Sequence, residues 1–188
     1  GNHDSKERLG FGSEIFANDG LYITANYKGK VDKIELHDEY GKLNIYMLPY
    51  IKPVEVKEFF GDIEINSYHE AIKTIIEKEK IDQNERNIIL SHQFVTAGSE
   101  EPERSESETL ILGGTENVDI SCYKKFDYVA LGHIHKLDYN TTKQQRIVYP
   151  GSTISLGFDE LGMHGMIIGK IENKKLDIEF KPLESILS

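Results

Sequence analysis

Residues 129–138 read VALGHIHKLD, an apolar run that ends in two histidines two positions apart. Val129, Ala130 and Leu131 have the pattern of a short buried strand, and Gly132 breaks it where a loop begins. In an extended backbone, residues i and i+2 point to the same side, so His133 and His135 face one volume. Two neutral imidazoles sharing a volume suit a common ligand, most plainly a metal ion. A polar loop after a strand explains the same ten residues, so the rest of the chain must decide.

Working outward, two more polar clusters stand in comparable places: Gly1-Asn2-His3-Asp4, and Ser91-His92-Gln93 at the end of the apolar run NIILSHQF (87–94). Loops at strand ends are where an α/β sheet gathers functional groups. Four of the seven histidines fall in these clusters. The others, His37, His69 and His164, have no companion ligand in sequence and read as structural or solvent-facing. Imidazole nitrogens with amide or carboxylate oxygens form a mixed donor set suited to Mn, Fe or Zn. Asn2 offers a neutral carbonyl oxygen, a more selective signal than another histidine.

The chain has 188 residues, 38% hydrophobic and 29% charged, enough for one domain with a substantial core and too apolar for disorder. No run of 18 apolar residues is present, so no membrane span is expected. The single cysteine, Cys122, excludes an internal disulfide and Cys-rich zinc sites and suits a reducing, cytoplasmic setting. A net charge of −10 argues against a broad basic face for nucleic acid. Bound cations, local Lys6 and Arg8, or another polypeptide would have to supply the positive field.

Residues 1–20 read as loop with at most a short helix. LYITANY (21–27) and residues 30–51 read as strands, the latter a hairpin turning at Glu39–Lys42. SYHEAIKTIIEKEK (67–80) is the clearest helix, with a Ser67/Glu70 capping box and a stripe of Tyr68, Ala71, Ile72, Ile75 and Ile76. AGSEEPERSESET (97–109) is acidic and low in apolar residues, so Glu100–Glu108 is expected to be mobile. A helix is expected near Val118–Lys124, and a last hairpin turns at Asn173–Lys174. Strands with one strong helix and mixed connections indicate α/β or α+β with a mixed sheet.

Taken in order, GNHDSKERLGFGSEIF, IYMLPYIKP, SHQFVTAGSEEPERSESE, DYVALGHIHK and VYPGSTISLGFDE resemble the SbcD-type nucleases of DNA double-strand-break repair. That family lies within the calcineurin-like metallophosphoesterases. The resemblance implies a two-sheet sandwich flanked by helices, with residues 1–188 forming the C-terminal portion of the nuclease domain. Its N-terminal part would lie outside this chain, because the family's Asp-x-His and Gly-Asp motifs stand upstream of the Gly-Asn-His-Asp at which the chain begins, and no separate capping domain is expected within it, because the chain ends soon after its last hairpin.

The same resemblance implies two divalent ions, usually Mn2+, with Mg2+, Fe and Zn2+ as alternatives. Asn2, His92 and His133 would hold one ion and His135 the other. His3 would act on the reacting phosphate, with Asp4 orienting or charging its imidazole. DNA, an ATPase of the SbcC type and a second copy of the chain are the implied partners. The implied activity is metal-dependent phosphodiester hydrolysis as exonuclease and endonuclease, with the fragment alone expected to be inactive. Two other readings remain: a related phosphoesterase acting on nucleotides or phosphoproteins, and a non-catalytic module that docks the ATPase.

Overall fold

Three apolar runs decide the architecture by pairing side by side in one direction. They are β2 (Gly41–Leu48), β3 (Arg86–His92) and β6 (Tyr128–Gly132), with Ile45 opposite Ile88, Ile89 opposite Val129, and His92 opposite Gly132. β1 (Asp32–Asp38) closes one edge antiparallel to β2, and β7 (Ile147–Val148) extends the other edge parallel to β6. The result is a five-stranded mixed sheet of order β1-β2-β3-β6-β7. The computed structural model describes residues 1–61, 63–104, 116–138, 146–160 and 162–183. The expected α/β class and helix-flanked mixed sheet are what the chain adopts.

Parallel neighbours need a crossover, and helices α3 (Pro53–Phe60) and α4 (Tyr68–Lys78) supply the one between β2 and β3. α4 buries the five stripe residues expected from the sequence. They join Tyr46, Leu48, Ile89, Val129 and Leu131 of the sheet in one core. Each fully buried side chain of this size contributes about 1.5–3 kcal/mol, so this face carries much of the fold's stability. The opposite face is more open: Ile45, Met47, Ile88 and Ala130 are half-buried, and Leu90 of the central strand is 42% exposed.

Several local expectations are corrected. Residues 21–27 form no strand: their alternation finds no ladder partner, and Thr24 spends its hydroxyl on Asp32 at 2.8 Å. α3 was not among the expected elements: Pro53, a residue that usually ends a strand or helix, sits in the first turn of this helix, where its missing N–H costs nothing. Residues 118–124 divide between a two-residue strand, β5 (Val118–Asp119), paired with β4 (Val95–Thr96), and a 3-10 turn over Ile120–Tyr123. Ser67 caps α4 as expected, accepting from the Glu70 N–H at 3.1 Å, but the Glu70 carboxylate reaches the amide of Asn66, one residue earlier. The N-terminal stretch holds only the short helices α1 (Lys6–Gly10) and α2 (Ser13–Asn18). No helix among the described residues is long and apolar enough to cross a membrane.

The C-terminal hairpin, β8 (Gly165–Glu172) and β9 (Lys175–Pro182), turns on Asn173 and Lys174, both with positive φ (44° and 67°), as a two-residue primed turn requires. It is tied to the sheet at the end away from the histidines. Buried Arg86 donates to Asp38 at 3.0 Å, to the Gly41 carbonyl at 2.7 Å and to the Ile171 carbonyl at 3.0 Å, joining the β1–β2 turn, β3 and β8. Arg86→Leu leaves two carbonyls and a carboxylate without this donor and should cost about 3 kcal/mol. Asp38→Asn, at a more exposed partner, should cost clearly less than Arg86→Leu. Urea unfolding of both variants checks the contrast, and equal losses would contradict this role for Arg86.

Candidate metal centre

β3 and β6 end level with one another, so the register that pairs His92 with Gly132 delivers His92 and His133 to one sheet edge. Gly132 is required there. A Cβ on it would lie 2.6 Å from His92 Nδ1, so only glycine leaves room for the ring. The next residue, His133, has φ 100°, a left-handed conformation that costs a non-glycine residue about 1–3 kcal/mol and gathers at functional sites.

The GNHD loop meets this edge from the other side. Asn2 Oδ1 lies 3.0 Å from His92 Nε2 and 3.3 Å from His133 Nδ1, and the two imidazole rings are 5.5 Å apart, edge to face. Three of the four candidate ligands therefore converge on one point. Burial above all pushes His92 down to about 3. Burial, then the Arg104 guanidinium, pushes His133 down to about 4. Both rings are thus neutral at pH 7, each with a lone pair to give.

Around His133 the packing is aromatic. Tyr50 stacks on its ring at 6.2 Å and 16°, and Phe94 meets it edge-on at 6.2 Å. Arg104 sits 3.6 Å above the far ring, Phe94, and 3.6 Å from buried Glu116, which also accepts from Tyr50 at 3.3 Å. His133 Nε2 is buried with no hydrogen-bond partner among the described residues.

The remaining candidates lie nearby but are differently engaged. His135 Nδ1 faces Glu160 Oε1 at 2.8 Å, and its backbone carbonyl accepts from the Ser152 N–H at 2.8 Å. Gly151, at φ 78°, permits that approach, since a Cβ there would stand 2.6 Å from the His135 carbonyl. His3 is exposed. Asp4 is exposed beside it. Lys6 is ion-paired with Glu55, whereas Arg8 is exposed.

Sequence reasoning passed over Glu160, although it ends the quoted motif VYPGSTISLGFDE. Two histidines outside the clusters are held by backbone groups, as a structural reading implies. His69 accepts from the Asp119 N–H at 3.2 Å rather than facing solvent, and His164 lies 3.1 Å from the Ser152 carbonyl and 3.2 Å from that of Glu160. In the acidic loop, the described part is tethered: Glu101 accepts from Asn117 at 2.9 Å and Glu103 from Lys136 at 2.6 Å. The rest of the expected mobile stretch, residues 105–108, lies outside the described residues.

A metal fits the Asn2–His92–His133 group on geometry. Donors bonded to one ion at about 2.1 Å stand about 3.0–3.4 Å from each other, the spacing of the Asn2 oxygen from each of the two ring nitrogens. The described residues contain no group of three or more His, Cys, Asp or Glu side chains able to hold an ion, so the Asn2 oxygen is what makes this a three-donor set.

The chain is 35% identical over 191 residues to the SbcD component of the SbcCD nuclease of Staphylococcus epidermidis, and 33% identical over 190 residues to its counterpart in Staphylococcus saprophyticus. Each alignment covers 99% of this chain and 48% of the relative, so the chain spans about half the length of the curated relatives it matches. No family model matches it. Over 99% of its length, then, the chain is similar to the D subunits of these SbcCD nucleases.

Gly132→Ala should push the His92 ring aside and cost about 1–3 kcal/mol, as overpacking does. Gly162→Ala, where a Cβ meets nothing within 4 Å, should be near neutral. Unfolding by urea measures both, and a harmless Gly132→Ala would show that His92 is not seated as described.

Proposed function

We propose that this chain is the part of a metal-dependent DNA nuclease that supplies Asn2, His92 and His133 to one divalent ion and His135 to a second. Mn2+ is the preferred ion, since mixed nitrogen and oxygen donors without thiolates suit it, with Mg2+, Fe or Zn2+ as alternatives. The observation that carries the reading is the convergence of the Asn2 oxygen on His92 Nε2 and His133 Nδ1 at 3.0 and 3.3 Å. The likeness to SbcCD nuclease components supports the substrate class. The naming of those relatives as parts of a larger nuclease supports an SbcC-type ATPase as partner, and a homodimer and a cytoplasmic setting belong to the same reading.

When bound, such an ion pair polarises the scissile phosphate and lowers the pKa of a bound water. The chain's own residues do the rest. Neutral His92 and His133 present lone pairs, and the rigid β3–β6 edge holds them at fixed separation. Tyr50 and Phe94 keep bulk water from the His133 ring. His3, on the open side of the GNHD loop, places a ring N–H where it can meet a phosphate oxygen and pass a proton to the leaving oxygen. Asp4, next to it, tunes the charge of that loop.

The test uses the longer protein, with this chain joined to the segment bearing the family's Asp-x-His and Gly-Asp motifs, since the chain spans about half the length of its relatives. His133→Ala should weaken manganese binding and abolish cleavage of a DNA duplex end together. His3→Ala should leave manganese affinity nearly intact and lower turnover by roughly two to four orders of magnitude. Calorimetry and cleavage rates on the same samples separate the roles. Equal metal loss in both variants would make His3 a ligand, and unimpaired cleavage in both would end the nuclease reading.

A further inference from the structure

Glu160 is buried, its side chain only 1% exposed, and both carboxylate oxygens are committed. Oε1 lies 2.8 Å from His135 Nδ1, and Oε2 accepts from the Leu156 N–H at 2.8 Å. Its own backbone is held as well: the Glu160 N–H donates to the Gly157 carbonyl at 3.3 Å, and its carbonyl faces His164 Nε2 at 3.2 Å. The carboxylate therefore has little freedom to turn. On the other side, the Ser152 N–H pins the His135 carbonyl at 2.8 Å. A ring fixed at its backbone and at one nitrogen keeps one orientation.

An ionised carboxylate only accepts hydrogen bonds, so the imidazole nitrogen facing it must carry the proton. We infer that Glu160 is a positioning residue that holds His135 as the Nδ1–H tautomer and so reserves the Nε2 lone pair for a metal ion. The inference rests on the proposed role of His135 as a ligand. Carboxylate partners of metal-binding histidines fix tautomer and ring direction, and losing one typically costs 10–100-fold in metal affinity.

Glu160→Gln probes this sharply. Its amide has one accepting oxygen, while among the described residues two N–H groups, those of His135 and Leu156, point at the carboxylate. The backbone N–H of Leu156 cannot change, so the glutamine oxygen turns to it and the NH2 group faces His135. His135 must then accept at Nδ1 and carry its proton on Nε2.

The test is a long-range 1H–15N spectrum of the histidine-labelled, metal-free chain at pH 7.5, followed by manganese calorimetry on the longer protein. In the wild type His135 should be protonated at Nδ1 alone. In Glu160→Gln it should switch to Nε2–H, and manganese affinity should fall 10–100-fold. A wild-type His135 that is an Nε2–H tautomer or doubly protonated overturns the inference, and so does a Gln variant with unchanged tautomer and affinity. The wild-type spectrum decides the tautomer even where the variant folds poorly. If His135→Ala binds manganese as tightly as the wild type, the ligand reading of His135 falls separately, whatever tautomer the wild-type ring shows.

Discussion

The parallel pairing of β3 with β6 is the constraint on which the rest depends. Its register sets His92 opposite Gly132, and the missing side chain at Gly132 is filled by the His92 ring. A one-residue slip would turn every side chain of the strand to the other face. It would take Ile89 out of the core and His92 away from Asn2 at once. The buried face and the donor cluster are thus fixed by the same pairing, and stability and site geometry cannot be varied independently there.

Energy flows from that pairing into the loops. The α4 face and the sheet bury a continuous core, which offsets the left-handed backbone of His133 and the removal of two imidazoles from water. Burial keeps both rings neutral, the form in which a ring nitrogen can bind a cation. Tyr50, Phe94, Arg104 and Glu116 form a polar and aromatic backing, so His133 is held on several sides rather than by one contact.

Much of this was legible in the sequence because it is local. The α4 stripe, the Asn173–Lys174 turn and the β1–β2 hairpin follow from spacing and turn chemistry, and each depends on few distant residues. The Gly-His-x-His pattern named His133 and His135 for the same reason. What stayed hidden is long-range. Residues 21–27 alternate like a strand, yet no neighbouring backbone completes a ladder. Pro53 looks like a breaker until its place in the first turn of α3 is seen. Glu160 is 25 positions from His135, and neither residue announces the other. Nothing in the sequence marks Arg86, yet three chain segments fold around it.

The central claim is that Asn2, His92 and His133 form one metal-binding group. Anomalous diffraction at the manganese edge, from crystals of the longer protein grown with Mn2+, tests it directly. The account predicts a peak about 2.1 Å from each of Asn2 Oδ1, His92 Nε2 and His133 Nδ1. Strong manganese peaks elsewhere, with these three atoms still in contact and no density between them, would contradict it.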